Sequence, residues 1–205
     1  MAVPIILASQ SPRRKQLLEW AEISFEIIIK STDESYPATL SIAEIPVHIA
    51  HNKALAVLQH IATVCHSQYK NQCILAADTV VVLDDVIIGK PIDRQAAIDT
   101  LKALSGRQHS VITGVVILKN ETTVAFADIT KVWFNELTEE QIIFYVDKYQ
   151  PYDKAGAYAI QEWIGVIGIK SIEGDFYNVM GLPVSRVVRV LQELNGNADN
   201  TDLKG

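Results

Sequence analysis

The run Cys73–Leu83, CILAADTVVVL, sets the tightest limit on how this chain can fold. A continuous apolar stretch of this length reads as a buried strand. Its middle holds a carboxylate, Asp78, where an unpaired charge is expensive. Either backbone amides or a single Arg satisfy Asp78, or it is a general base or metal ligand tuned by its neighbours. Thr79 follows directly. In an ideal strand it points to the opposite face, so the two side chains share a cavity only if the strand bulges or ends there.

Apolar runs and helical patterns alternate on both sides of this strand. Residues 3–8 and Phe25–Ile29 read as strands, and 11–21 as a helix. Ser31–Leu40 is a polar loop. Ser41 to about Gln68 reads as a long helix, with Ser41 and Glu44 at capping-box spacing and Pro46 in its first turns. Val86–Ile88 is a short strand and Asp93–Leu104 a helix. Val111–Leu118 and Thr123–Trp133 form a hairpin around Asn120. Thr138–Lys148 is a helix, Ile164–Ile172 a strand, and Leu182–Leu194 a last helix starting at Pro183. The predicted class is mixed α/β. With 205 residues, 49% of them apolar, one domain over 1–195 is expected, followed by a frayed polar tail, 196–205.

The net charge of −6 excludes a general basic field for coating DNA or anionic membrane. No uncharged apolar run reaches the roughly 18 residues of a membrane span. Cys65 and Cys73 lack zinc spacing, which predicts a reduced cytosolic protein. Against this acidic background, Arg13, Arg14 and Lys15 stand together just after Ser11 and Pro12. Ser is a good N-cap and Pro suits the first helical position, so the cations fall in a first helical turn. The macrodipole disfavours positive charge there, and free N–H groups point outward. Strand, tight turn, helix N-terminus and guanidinium together outline a phosphate site.

Other stretches are weaker signals taken singly. Gly89-Lys90-Pro91 puts a compact point charge on a turn, but Asp84 stands where a P-loop needs Gly. Arg107 and His109 read as surface residues on a strand edge. His48 and His51 read as a solvated helical face rather than a metal site. In YDKAGAYAIQ, small residues surround Gln161, whose amide can read a base edge.

Taken in order, LASQSPRRKQLL, HNKA, AADTVV, GKP, LSGRQHSVITGV, DKAGAYAIQ and GDFYNVMGLPVSRV closely resemble the Maf family of nucleoside triphosphate pyrophosphatases, over about residues 5–195. The GAYAIQ form resembles the branch acting on dTTP and UTP rather than the 7-methyl-GTP branch. The resemblance implies an elongated central sheet with flanking helices, forming two lobes around a cleft. It also implies a divalent metal, Mg²⁺ or Mn²⁺, and frequent homodimers in the cytoplasm. By position, Asp78 matches the proton acceptor that activates water, with Lys53 and Lys90 as catalytic cations. Ser9, Arg14 and Lys154 match the triphosphate side, and Arg13, Thr79 and Gln161 the positions tied to substrate choice. Asp33 and Glu34 match an acidic loop and join Asp78 as candidate metal ligands. Gln10 and the pair His51-Asn52 depart from the usual pattern without removing these groups. A pyrophosphatase for another or modified nucleotide, or a non-catalytic nucleotide sensor in septum formation, is the alternative reading.

Overall fold

The computed structural model describes residues 4–64, 69 and 71–199. Strand β1 (Ile5–Leu7) has all three side chains buried. Helix α1 (Pro12–Trp20) leads from it to strand β2 (Phe25–Ile27), which pairs with β1 in parallel. Helix α2 (Glu44–Val64) then leads to β3 (Ile74–Leu83), also parallel to β1. The burial that its sequence demands is met, since β3 is buried everywhere except at Asp78 and Thr79. Asp84 and Asp85, both at positive φ, turn the chain into the antiparallel strand β4 (Val86–Ile88).

Helix α3 (Arg94–Leu104) is capped by Asp93, whose carboxylate accepts the Ala96 N–H. It leads into the long strands β5 (Gln108–Lys119) and β6 (Thr122–Phe134). Helix α4 (Glu139–Tyr149) begins with a complete capping box between Thr138 and Gln141. The remaining elements are α5 (Trp163–Gly168), β7 (Ile169–Glu173), α6 (Phe176–Met180) and α7 (Val184–Asp199). Among the described residues the sheet has seven strands in the order β2-β1-β3-β5-β6-β7, with β4 on β3. It is a mixed sheet, since β7 runs antiparallel to β6.

The chain divides into two compact units. The first comprises residues 1–78, 114–127 and 181–205, and the second 79–113 and 128–180, so β3, β5 and β6 each contribute to both. The core of the first unit joins Ile6 and Ile74 of the sheet to Ala50, Ala54, Val57 and Ile61, one face of α2. Gly114 makes this packing possible. A Cβ there would lie 2.2 Å from Val47 N and 2.3 Å from Pro46 C. In the second unit, α3 packs on α4, and His109, Phe134 and Tyr158 form an edge-to-face aromatic trio with centroids 5.0–5.4 Å apart.

Three expectations are corrected. The 164–172 run is not one strand: α5 occupies 163–168 and only 169–173 is strand. A short apolar run does not distinguish the two states. Within α5 only glycine fits at position 165, because its bare Cα accommodates the Ile160 carbonyl, which a Cβ would meet at 1.7 Å. Second, α2 begins at Glu44 with Pro46 inside its first turn, and Ser41 makes only half of a capping box. The Glu44 carboxylate accepts from Ser41 N–H and Oγ, and no Ser41 side-chain bond returns. Third, α7 continues to Asp199, past the expected start of fraying. The end of the long helix at Gln68, Cys65, and tail residues 200–205 lie outside the described residues.

Candidate active site

The opening helix is built as its sequence demands, but its cations do unequal work. Ser11 caps α1 by accepting the Arg14 N–H at 3.4 Å, with Pro12 in the first turn. The Arg14 side chain is buried, with 9% of its surface exposed. Its Nε donates to the Gly181 carbonyl at 2.7 Å and its Nη1 to Ser9 Oγ at 3.1 Å. Burial lowers the Arg14 pKa, and so does the adjacent Arg13 charge, while the negative charges of Asp78 and Glu34 oppose them. Arg14 is therefore a structural clasp as well as a local positive charge. Ser9 Oγ also accepts the Ser11 N–H at 3.2 Å. With two donors already on that oxygen, the Ser9 hydroxyl is left to donate, which suits an anionic oxygen.

Asp78 finds its partner on α2. Lys53 Nζ lies 2.7 Å from Asp78 Oδ1 and 2.8 Å from Glu34 Oε1. The helical spacing that buries Ala50, Ala54 and Val57 carries Lys53 to the edge of the packed face. Its side chain and that of Asp78 are 19% and 16% exposed, so their bond is shielded from solvent. Glu34 reaches this pair from the polar loop. Asp33, its neighbour, turns away: its carboxylate accepts from Ser35 N–H and Oγ at 2.9 and 2.6 Å, which lowers its pKa.

No group of three His, Cys, Asp or Glu side chains among the described residues could hold a metal ion. Asp78 and Glu34 nevertheless converge on one cation, the Lys53 ammonium. Two carboxylates suit a hard divalent ion whose other ligands are water and substrate phosphate oxygens. Asp33, engaged with Ser35, does not join them.

The remaining predicted residues belong to the second unit. Thr79 Oγ1 lies 3.0 Å from Thr113 Oγ1. Lys154 is buried and paired with Asp153 at 2.8 Å and Glu162 at 3.7 Å. Tyr145 donates its hydroxyl proton to Glu162 and accepts the Ala159 N–H at 3.2 Å, fixing the segment that carries Gln161. The Gln161 side chain itself is exposed, as is Lys90. The Gly156 N–H donates to the Gly89 carbonyl at 3.2 Å, tying the Lys90 turn to the short 3-10 turn Ala155–Ala157. Arg107 is a surface residue paired with Asp84, as its sequence setting predicts. His109 is not: it is buried, with Nε2 2.7 Å from the Tyr158 hydroxyl. His48 pairs with Asn52 at 3.1 Å. Glu162, Tyr145, Thr113 and Asn178 escaped the sequence reading. Only Asn178 left a trace, as an amide inside the apolar stretch FYNVM.

A mixed α/β sheet that sets a carboxylate–lysine pair beside a buried arginine defines a protein suited to polyanion chemistry. The chain belongs to the Maf family: the family model described as Maf-like protein matches residues 4–194. It is 48% identical over 190 residues to a dTTP/UTP pyrophosphatase of Cytophaga hutchinsonii, covering 93% of this chain and 84% of that protein. It is 46% identical over 191 residues to a dTTP/UTP pyrophosphatase of Bacteroides thetaiotaomicron, covering 93% and 95%. A third relative of that name, from Porphyromonas gingivalis, is 45% identical over 190 residues, covering 92% and 93%. No helix among the described residues is long and apolar enough to cross a membrane.

Proposed function

We propose that this chain hydrolyses dTTP and UTP to the nucleoside monophosphate and pyrophosphate. The observation that carries the reading is the shielded Asp78–Lys53 pair within the electrostatic reach of Arg14. The names of the relatives supply the bases. Water attacks the α-phosphorus, a new O–P bond forms, and the bridging oxygen leaves with the β-phosphorus as pyrophosphate. Asp78 Oδ1 is held by Lys53, so Oδ2 is the atom that takes the water proton. The Ser9 hydroxyl, Arg13 and Lys53 meet phosphate oxygens, and the family resemblance alone adds Lys90 and Lys154 to these cations. A divalent ion such as Mg²⁺ or Mn²⁺, if bound, would be held by Glu34 and Asp78 in place of the Lys53 contacts and would supply further positive charge to those oxygens. Arg13, Thr79 and Gln161 select the base. A homodimer in the cytoplasm goes with this proposal, on the strength of the family resemblance.

The test is pyrophosphate release from dTTP, UTP, CTP and 7-methyl-GTP by the purified protein, with Asp78→Asn alongside. Loss of a general base costs about 10²–10⁴-fold in rate. The variant should lose that much turnover and keep a cooperative melt. Near-normal turnover by Asp78→Asn, or no pyrophosphate from dTTP and UTP with wild-type protein, overturns the proposal.

A further inference from the structure

Resting on the reading that Thr79 contributes to base choice, we propose that Thr113, anchored by Asn178, is a positioning residue that makes Thr79 a hydrogen-bond acceptor only. Thr113 thereby sets the discrimination of thymine and uracil from cytosine.

The anchor comes first. Asn178 is fully buried on α6. Its Nδ2 shares its two hydrogens among the Val111 and Asp128 carbonyls at 3.1 and 3.2 Å and Thr130 Oγ1 at 3.0 Å. Thr130 Oγ1 in turn donates to the Asp175 carbonyl at 2.9 Å. Helix α6 is thus tied to β5 and β6 through its middle residue, Asn178, and to β6 through Asp175, just before its first turn. Held there, the Asn178 carbonyl accepts from Thr113 Oγ1 at 3.1 Å.

The consequence follows from counting protons. A carbonyl can only accept, so Thr113 supplies the hydrogen in that bond. A hydroxyl carries one hydrogen. The 3.0 Å contact between Thr113 Oγ1 and Thr79 Oγ1 must then take its hydrogen from Thr79. Every further partner of the Thr79 hydroxyl has to be a donor. Thymine and uracil carry a donor at N3, whereas cytosine carries a lone pair there. An acceptor fixed against an acceptor leaves both unpaired, and a site with fixed polar groups rejects such a mismatch strongly. A threonine free to rotate would not discriminate, because it could donate to cytosine and accept from thymine.

Thr113→Val keeps the side-chain shape and removes the acceptor that holds the Thr79 hydrogen. Thr113→Ser retains it. The readout is the ratio of kcat/KM for dTTP to that for CTP, measured within one preparation. This ratio does not depend on how much of the protein is folded, so a destabilised variant still reports. We expect Thr113→Val to lower the ratio about tenfold, the scale of one mismatched buried hydrogen bond, and Thr113→Ser to keep the wild-type ratio. Thr79→Val separates the two levels of inference. If it leaves the ratio unchanged, Thr79 does not read the base and the underlying assignment fails. If Thr79→Val shifts the ratio and Thr113→Val does not, the assignment stands and the relay through Thr113 is overturned. Equal shifts in Thr113→Val and Thr113→Ser also overturn it, because they would reflect packing rather than the hydroxyl.

Discussion

His109 should make the protein acid-sensitive over a defined window. Burial depresses its pKa from 6.5 to about 4. One ring nitrogen meets the Tyr158 hydroxyl, while Nδ1 is buried with no hydrogen-bond partner. The folded protein therefore resists the proton that the unfolded chain accepts. Above pH 6.5 neither state binds it, and His109 leaves stability independent of pH. As pH falls below 6.5 the unfolded state gains the proton first, and stability declines until the folded state also protonates near pH 4. Integrated from pH 7.5 to 4.5, with those two pKa values, the loss is about 2.5 kcal/mol. The assay is urea denaturation at half-unit pH steps for wild type and His109→Gln, which cannot titrate. Carboxylates titrate in both proteins, so the difference between the two curves isolates His109. It should widen by about 2.5 kcal/mol across that range. Parallel curves would refute the reasoning, whatever the offset between them.

Arg14→Ala removes donors to Gly181 and Ser9 from a buried position, and should cost about 3 kcal/mol in urea denaturation, the scale of two hydrogen bonds to a charged group after relief of its desolvation. A loss below about 0.5 kcal/mol would return Arg14 to the role of a purely substrate-facing cation. Gly114→Ala forces a Cβ against Pro46 and Val47, so it should destabilise by about 3 kcal/mol or more and raise KM through displacement of α2 and Lys53. Chemical denaturation with kinetics checks both effects. Gln161→Ala should flatten the preference among dTTP, UTP and CTP more than it reduces turnover with dTTP, measured as kcat/KM for each nucleotide.

Elements whose pattern is local were legible in the sequence. Ser11-Pro12 announces α1, Asp93 caps α3, Thr138 caps α4, and the apolar run 74–83 is buried as its composition requires. The six-residue stretch WIGVIG was misread because a single helical turn and a buried strand share one composition. Candidate site residues were legible as residue types in motifs, but their partners were not. Arg14 looks exposed in its own stretch, since the carbonyl that buries it lies 167 residues away. Glu34 sits in a loop with no periodicity, so its pairing with Lys53 leaves no mark in the sequence. His109 stands at an alternating position of a strand with polar neighbours on both sides, and only the arrival of Tyr158 from 49 residues on makes it a core residue.

The clasp between Arg14 and Gly181 also bears on synthesis. A ribosome delivers the N-terminal strand, helix and Asp78 early, then the entire second unit through residue 180, and only afterwards the carbonyl that Arg14 grips. Contacts of such sequence separation form late and slowly. The nascent chain thus holds Arg14 unfastened until Gly181 has emerged, and a product cut short before that residue would carry the carboxylate at position 78 but lack the latch that sets the opening helix in place.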